Sequence, residues 1–293
     1  MTATDPTEEV ATGLPEAVRA FDAIAPVFDR RFGNWASVAA QRRAVRRALL
    51  GAFPRDALLL ELGGGTGEDA LFLVRHGRRV VVTDGAPAMV RHTMLKARAA
   101  GYAHRLAAQQ VALEDLDRFA AARTAAGEPL FEGAYSNFAV LNCVAPADLS
   151  PVARGLARLL APRAHALVVM FGRFAPAEVA IELGRGRARS AFRRLATGAV
   201  PARIGGQQFS VWYPGPQAVA RRFAPDFRLV RTRGIGLFVP PSAAEPMISR
   251  FPRLLALLEK LDQVVAGPLA RLSDHMLLDF ERVDPAQPEE PAG

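Results

Sequence analysis

The chain is nearly without cysteine and lysine. Cys143 is the only thiol among 293 residues, and of 37 basic side chains only Lys96 and Lys260 are lysines. One thiol cannot close an internal disulfide or build a cysteine-cluster zinc site, and it suits a reducing compartment. Long apolar runs are missing as well. The longest, residues 166–172, falls far below the roughly 18 residues a membrane span needs. The first sixteen residues are acidic and lack the basic start and apolar centre of a secretion signal. These absences predict a soluble, cytoplasmic protein with no transmembrane segment.

What is present has globular composition, half apolar with 23% charged and 8% aromatic residues, enough for one large domain. The formal charge of +8 is unevenly spread. Residues 151–233 carry fifteen arginines against Glu178, Glu182 and Asp226, while both ends of the chain are acidic. Such a stretch can meet an anionic substrate, a membrane face or nucleic acid, or can simply be a solvated surface. Residues 1–16 and 284–293, rich in Pro, Glu and Ala, read as loose tails around a folded domain over 17–283.

Within that domain the apolar pattern alternates between strand and helix. Strands are predicted at 57–62, 79–83, 106–111, 131–138 and 165–171, with helices at 66–76, 87–100, 115–126 and 151–160 between and before them. The rhythm implies a Rossmann-like α/β fold, a mostly parallel sheet with helices on both faces. It breaks after Gly172. Residues 173–206 hold paired glycines, arginines and one amphipathic piece (181–195), and read as a helical, Arg-rich insertion covering the carboxyl edge of the sheet. A strand at 207–212, a helix at 216–223, a strand at 227–233, a helix at 251–265 and a last strand at 275–283 complete the pattern.

The sharpest motif is Glu61-Leu62-Gly63-Gly64-Gly65-Thr66-Gly67, which ends a strand and opens a helix. Glycines there let the backbone turn tightly and approach a ligand, and the helix start offers free N–H groups. Seventeen residues beyond Gly67 the next strand closes on Asp84, placed to bind both hydroxyls of a ribose or, more plainly, to cap the following helix. The spacing is not G-x-G-x-x-G, and Glu61 beside the loop would repel a pyrophosphate but hold an ammonium group. No G-x-x-x-x-G-K-[ST] is present, which disfavours a nucleoside triphosphate.

The E-x-G-x-G-x-G loop followed by an acid resembles the class I S-adenosylmethionine-dependent methyltransferases, small-molecule branch. Phe21-Asp22-x-x-Ala25-x-x-Phe28-Asp29 resembles that branch's opening segment, with Phe28 in place of a tyrosine. Leu113-Glu114-Asp115-Leu116, Tyr135 to Leu141 and Trp212-Tyr213 before the 216–223 helix are similar to further family segments. The resemblance implies a seven-stranded sheet with its last strand antiparallel and S-adenosylmethionine as cofactor. It implies Glu61 near the methionyl amine, Gly63 and Gly65 behind the cofactor, and Asp84 on the ribose. Gly85, Ala86, Leu113 and Glu114 would lie at the adenine and Asn137 at the methionyl end. The family's acid two places before Glu114 is Ala112 here.

Methyl transfer from a sulfonium is an in-line displacement that proximity alone can accelerate, with a base added in some enzymes. Candidates are few: His275 in Ser273-Asp274-His275, Asn142 and Tyr213, with Cys143 beside them as core thiol or reactive group. His76, His92, His104 and His165 read as structural. The expected acceptor is a small, partly apolar metabolite, with a peripheral lipid contact through the basic insertion as a variant. No metal site and no DNA-methylating [D/N/S]-P-P-[Y/F/W] segment is seen. An RNA methyltransferase using the arginine stretch, an NAD-dependent oxidoreductase and a nucleoside binder without catalysis are the alternatives.

Overall fold

The computed structural model describes residues 14–284 apart from positions 34, 266 and 268. The expected tails therefore lie outside the described residues, except 14–16 and 284, and Glu16 already begins a helix. Two helices, α1 (Glu16–Phe32) and α2 (Ala36–Ala52), precede the alternation. It runs β1 (Leu58–Leu62), α3 (Glu68–Arg75), β2 (Arg79–Asp84), α4 (Pro87–Ala99), β3 (Leu106–Gln110), α5 (Leu116–Ala125), β4 (Phe131–Ser136), α6 (Leu149–Leu159) and β5 (Leu160–Phe171). Then follow α7 (Pro176–Gly184), α8 (Ala188–Ala191), β6 (Val200–Ile204), β7 (Gln207–Val211), α9 (Pro216–Phe223) and β8 (Phe227–Ile235). Two helices, α10 (Glu245–Ile248) and α11 (Pro252–Val265), lead to β9 (His275–Arg282).

Seven strands form one sheet in the order β3-β2-β1-β4-β5-β9-β8, parallel except for β9, which runs antiparallel to both neighbours. This is the seven-stranded architecture that the resemblance implies. Side chains alternate faces along a strand, so the central strands must be apolar on both sides to be covered twice. In β1 Leu60 and Leu62 join a core with α5, α6 and α9, while Leu59 joins Val45, Leu49 and Leu73 of α2 and α3 on the other face. Glu61 shares the Leu59 face, where an acid has no apolar reason to be. Chain order reverses between β1 and β4, the switch point at which open α/β sheets bind ligands.

Three local expectations are corrected. β5 begins at Leu160 rather than 165, with a register shift against β4 between Phe131 and Gly133. The amphipathic piece at 181–195 is not one helix: α7 stops at Gly184, Gly186 takes a φ of +72°, and only a short α8 follows. The strand at 207 is half of a hairpin, β6 pairing with β7 across Gly205-Gly206, whose φ angles are +56° and +83°. Two consecutive left-handed residues are what a two-residue hairpin loop of type I′ demands. That pairing extends the segment after β5 to Val211.

Candidate active site

The carboxyl ends of β1, β2 and β4, with α1 and β7 as walls, enclose a cavity of about 630 Å³, a size typical of small-molecule sites. The loop after β1 makes its floor. Gly63, Gly65 and Gly67 all have left-handed φ, +62°, +57° and +75°, a region open to glycine at little steric cost. A Cβ on Gly67 would sit 2.7 Å from Thr93 Cγ2, whereas one on Gly65 would meet nothing within 4 Å. Gly67 is thus a packing requirement, and Gly65 leaves bare backbone facing the cavity.

Asp84 ends β2 beside this loop. Its Oδ2 accepts a hydrogen bond from the Gly65 amide at 2.8 Å and its Oδ1 one from Ala86 at 2.9 Å. Burial raises its pKa, partly offset by those two donors. A carboxylate has about four acceptor sites, so Asp84 can hold the loop and still accept from a diol. It does more than cap the next helix.

Glu61 is 2% exposed, lines the cavity, and its Oε2 has no hydrogen-bond partner. Burial, then the charge of Asp69, push its pKa well above the usual carboxylate range, with Tyr135 and Arg42 opposing. Neighbouring Asp69 is already engaged: Arg46 Nε donates to it at 2.7 Å and Asn137 Nδ2 at 2.8 Å. Asn137 Oδ1 in turn accepts from the Phe138 amide at 2.7 Å. That bond helps to hold Phe138 and Ala139 at φ of +54° and +62°, a strained pair of the sort found at binding sites. The Phe138 ring carries the Arg42 guanidinium at 4.7 Å.

α1 closes the near side through both aspartates of its Phe21-Asp22…Asp29 segment. Asp22 Oδ1 accepts from the Ala88 amide at 2.6 Å, near the start of α4. Asp29 Oδ1 accepts from Thr66 Oγ1 of the glycine loop at 2.6 Å and pairs with Lys96. Val18 lies over Gly85, where a Cβ would come within 2.7 Å of it. Of the cofactor residues expected from sequence, Glu61, Gly63, Gly65, Asp84, Gly85, Leu113, Glu114 and Asn137 line the cavity. Ala86 does not: it is fully buried, with its amide turned to Asp84.

Residues 59–163 match the family model of the methyltransferase domain. The matched segment, from β1 into β5, is similar to the methyltransferase domain of the class I S-adenosylmethionine-dependent enzymes. A search of the curated proteins finds no match. Among solved structures, the CcbJ methyltransferase of Streptomyces caelestis is 17% identical, with 90% of this chain and 98% of that one aligned at a TM-score of 0.58. The 1,6-didemethyltoxoflavin N1-methyltransferase of Burkholderia thailandensis, solved with 1,6-didemethyltoxoflavin and S-adenosylhomocysteine bound, is 19% identical over 97% and 93% (TM-score 0.52). The geranyl diphosphate C-methyltransferase of Streptomyces coelicolor is 12% identical over 83% and 79% (TM-score 0.50). At such identities these are likenesses of fold.

The candidate catalytic groups of the methyltransferase separate. Tyr213 lines the cavity beside Phe171, at 5.8 Å between ring centres. Asn142 is fully buried off the cavity: its Oδ1 accepts from the Phe171 amide at 3.0 Å and its Nδ2 donates to the Trp212 carbonyl at 2.6 Å. It fastens the end of β5 to the exit of the hairpin, with both ends of its amide engaged by backbone. His275 is also off the cavity, its ring tilted against Phe171 at 4.8 Å between centres, with Nδ1 3.2 Å from Asp274. Cys143 does line the cavity, but burial, then Glu114, push its thiol up to about 12. A thiol so protonated is no nucleophile. Cys143→Ala is expected to change the turnover number by less than about threefold, measured at saturating substrates.

The arginines of residues 173–206 are largely spoken for. Buried Glu178 pairs with Arg193 and Arg194, and Glu182 with Arg185 and Arg187. Arg194, 6% exposed, donates to the Asp274 carboxylate at 2.6 Å and to its carbonyl at 2.7 Å, and stacks 4.9 Å over Phe171. Burial opposes ionisation of Asp274, yet His275, Arg194 and Gln41 together hold its pKa well below the usual range. Sequence reading did not single out Asp69, Gln41 or Phe209. Their roles arise from partners distant in the chain.

Proposed function

We propose that this methyltransferase moves a methyl group from S-adenosylmethionine to a small acceptor with an apolar body. The observation that carries the cofactor assignment is the buried Glu61 carboxyl, whose Oε2 lacks a hydrogen-bond partner, beside the bare backbone of Gly65. A buried carboxylate oxygen without a donor is costly, and the ammonium of a methionyl group supplies the missing charge, whereas a pyrophosphate would worsen it. Glu61 and Asn137 would hold the methionyl end, Gly63 and Gly65 the backbone side, Asp84 the ribose, and Gly85, Leu113 and Glu114 the adenine. The sulfonium supplies an activated methyl group. The protein's own contribution is to place the acceptor in line and exclude water.

Aromatic walls support an apolar acceptor. Phe138, Phe171, Phe209, Trp212 and Tyr213 line the cavity with Arg193 at its edge. Its guanidinium is paired with Glu178, so the aromatic side of the cavity offers a flat-sided slot rather than an unpaired Arg193 cation. The same pairing weakens the RNA reading, because these arginines face acids of their own segment. With Asn142 and His275 turned away, Tyr213 is the catalytic candidate that remains at the cavity, and positioning is the main catalytic device for an acceptor whose nucleophile is already competent at neutral pH.

Calorimetric titration with S-adenosylmethionine, S-adenosylhomocysteine and NAD tests this. Micromolar binding of the first two, about −8 kcal/mol, is expected, with no heat from NAD. Asp84→Ala should weaken both ligands by about 1.5–3 kcal/mol, roughly ten- to a hundredfold, the worth of hydrogen bonds to a charged group. Binding of NAD alone would overturn the assignment.

A further inference from the structure

Exposed apolar residues are concentrated far from the cavity in sequence. Among the described residues sixteen large apolar side chains are exposed, and six of them, Met247, Phe251, Leu254, Leu257, Leu261 and Val264, fall within residues 247–264. Scattered exposed apolar residues need no explanation, but a contiguous group marks an interaction surface. On α11 the members follow at intervals of three, four and three, which puts them in one stripe along the helix. Val264 is 80% exposed. Leu255, on the opposite side, is buried against Ala40 and Val239 and accounts for how the helix is held.

Charge is sorted across the same element. Arg250, Arg253, Lys260 and Arg271 are exposed and form no ion pair among the described residues. The acids all look inward. Glu245 is buried and accepts from the Ser37 amide at 3.0 Å, Glu259 is bound to Arg43, and Asp262 accepts from the Phe238 amide at 2.6 Å. An apolar stripe bordered by unpaired cations, with its carboxylates taken up by the protein, is complementary to an anionic lipid surface. A second copy laid antiparallel on the stripe would set Arg253 and Lys260 against each other, since they are one heptad apart on one flank. Among the described residues no helix is long and apolar enough to cross a membrane, so the contact is one of surface. The turn Ser242–Ala244 ahead of α10 packs on α7, so the stripe begins beside the first helix after β5.

We propose that α11 and the residues leading into it form a peripheral docking surface for anionic bilayers. Flotation of the full-length protein tests it, using vesicles of phosphatidylcholine alone or of equal parts phosphatidylcholine and phosphatidylglycerol. Wild type should float with the anionic vesicles, lose binding in high salt, and stay behind with the neutral ones. Leu257→Glu/Leu261→Glu should reduce the partition coefficient at least tenfold, and Arg253→Glu/Lys260→Glu should do so for anionic vesicles. Both should keep the wild-type melting temperature and cofactor affinity. Failure of wild type to float with either vesicle overturns the proposal. So does undiminished binding in both variants, which would move the contact elsewhere. A wild-type dimer by sedimentation velocity, made monomeric by L257E/L261E without any vesicle binding, would overturn it in favour of a self-interface.

Discussion

Replacing Arg194 by Met is expected to lower folding stability by about 3–5 kcal/mol, because it strands buried carboxylates whose countercharge it supplies. Arg194 stands between Glu178 and Asp274, each side chain 7% exposed, and Met matches its length but not its charge. Asp274 would keep Gln41 and His275, and Glu178 would keep Arg193, which sets the loss near the lower end of that range. For a protein of this size that corresponds to a fall of roughly 5 °C in melting temperature. Arg193→Met removes a partly exposed partner of the same Glu178 and should cost no more than about 1 kcal/mol. Acid sensitivity should change as well. The lowered pKa of Asp274 means its stabilisation is present above the ordinary carboxylate range and lost as pH falls through the folded value. Without Arg194 that loss should begin at higher pH. Urea unfolding across a pH series measures both effects, and equal midpoints for R194M and R193M would show that Arg194 is not the countercharge on which these buried carboxylates depend.

Glu61→Gln is expected to act in opposite directions on the ligand-free and ligand-bound protein. Affinity for S-adenosylmethionine should fall by about 2–4 kcal/mol, roughly 30- to 1000-fold, as for the loss of one partner in a buried charge pair. The free protein should become more stable at neutral pH. Burial raises the Glu61 pKa, so between the ordinary carboxylate range and the folded value the native state holds a proton that the unfolded chain has released. Stability of the free wild type therefore declines as pH rises through that window, and Gln removes the decline. Binding an ammonium favours the ionised form, so cofactor binding should expel up to one proton and tighten with rising pH. Calorimetry in two buffers of different ionisation enthalpy reads the proton directly. E61Q with wild-type affinity, or wild type that releases no proton, would show that Glu61 does not face the cationic group.

The cradle was legible because its chemistry is local. Glu61 to Gly67 and Asp84 lie within one strand–helix–strand unit, and the glycines advertise backbone angles that other residues resist. The hairpin was also written in the chain. Ile204-Gly205-Gly206-Gln207 is a two-residue turn signal between β-prone runs, overshadowed by the surrounding arginines. What periodicity could not show are contacts made at long range. Arg194 meets Asp274 across 80 residues and Asn142 meets Trp212 across 70, so an arginine that looked like part of a charged cover proves to be a buried strut. Asn142 and His275 looked available because the sequence displays a polar side chain without displaying who already holds it.

One helix touches both halves of the cavity. On the cradle side α1 is tied through Asp22 and Asp29; on the hairpin side its Phe21 ring lies 5.7 Å from that of Phe209, and Ile24 fills the space beside Gly205. A ligand that steadies α1 from one side therefore steadies the wall that the other ligand meets. Thermodynamic linkage makes that benefit mutual: whatever factor the cofactor adds to acceptor affinity, the acceptor returns to the cofactor.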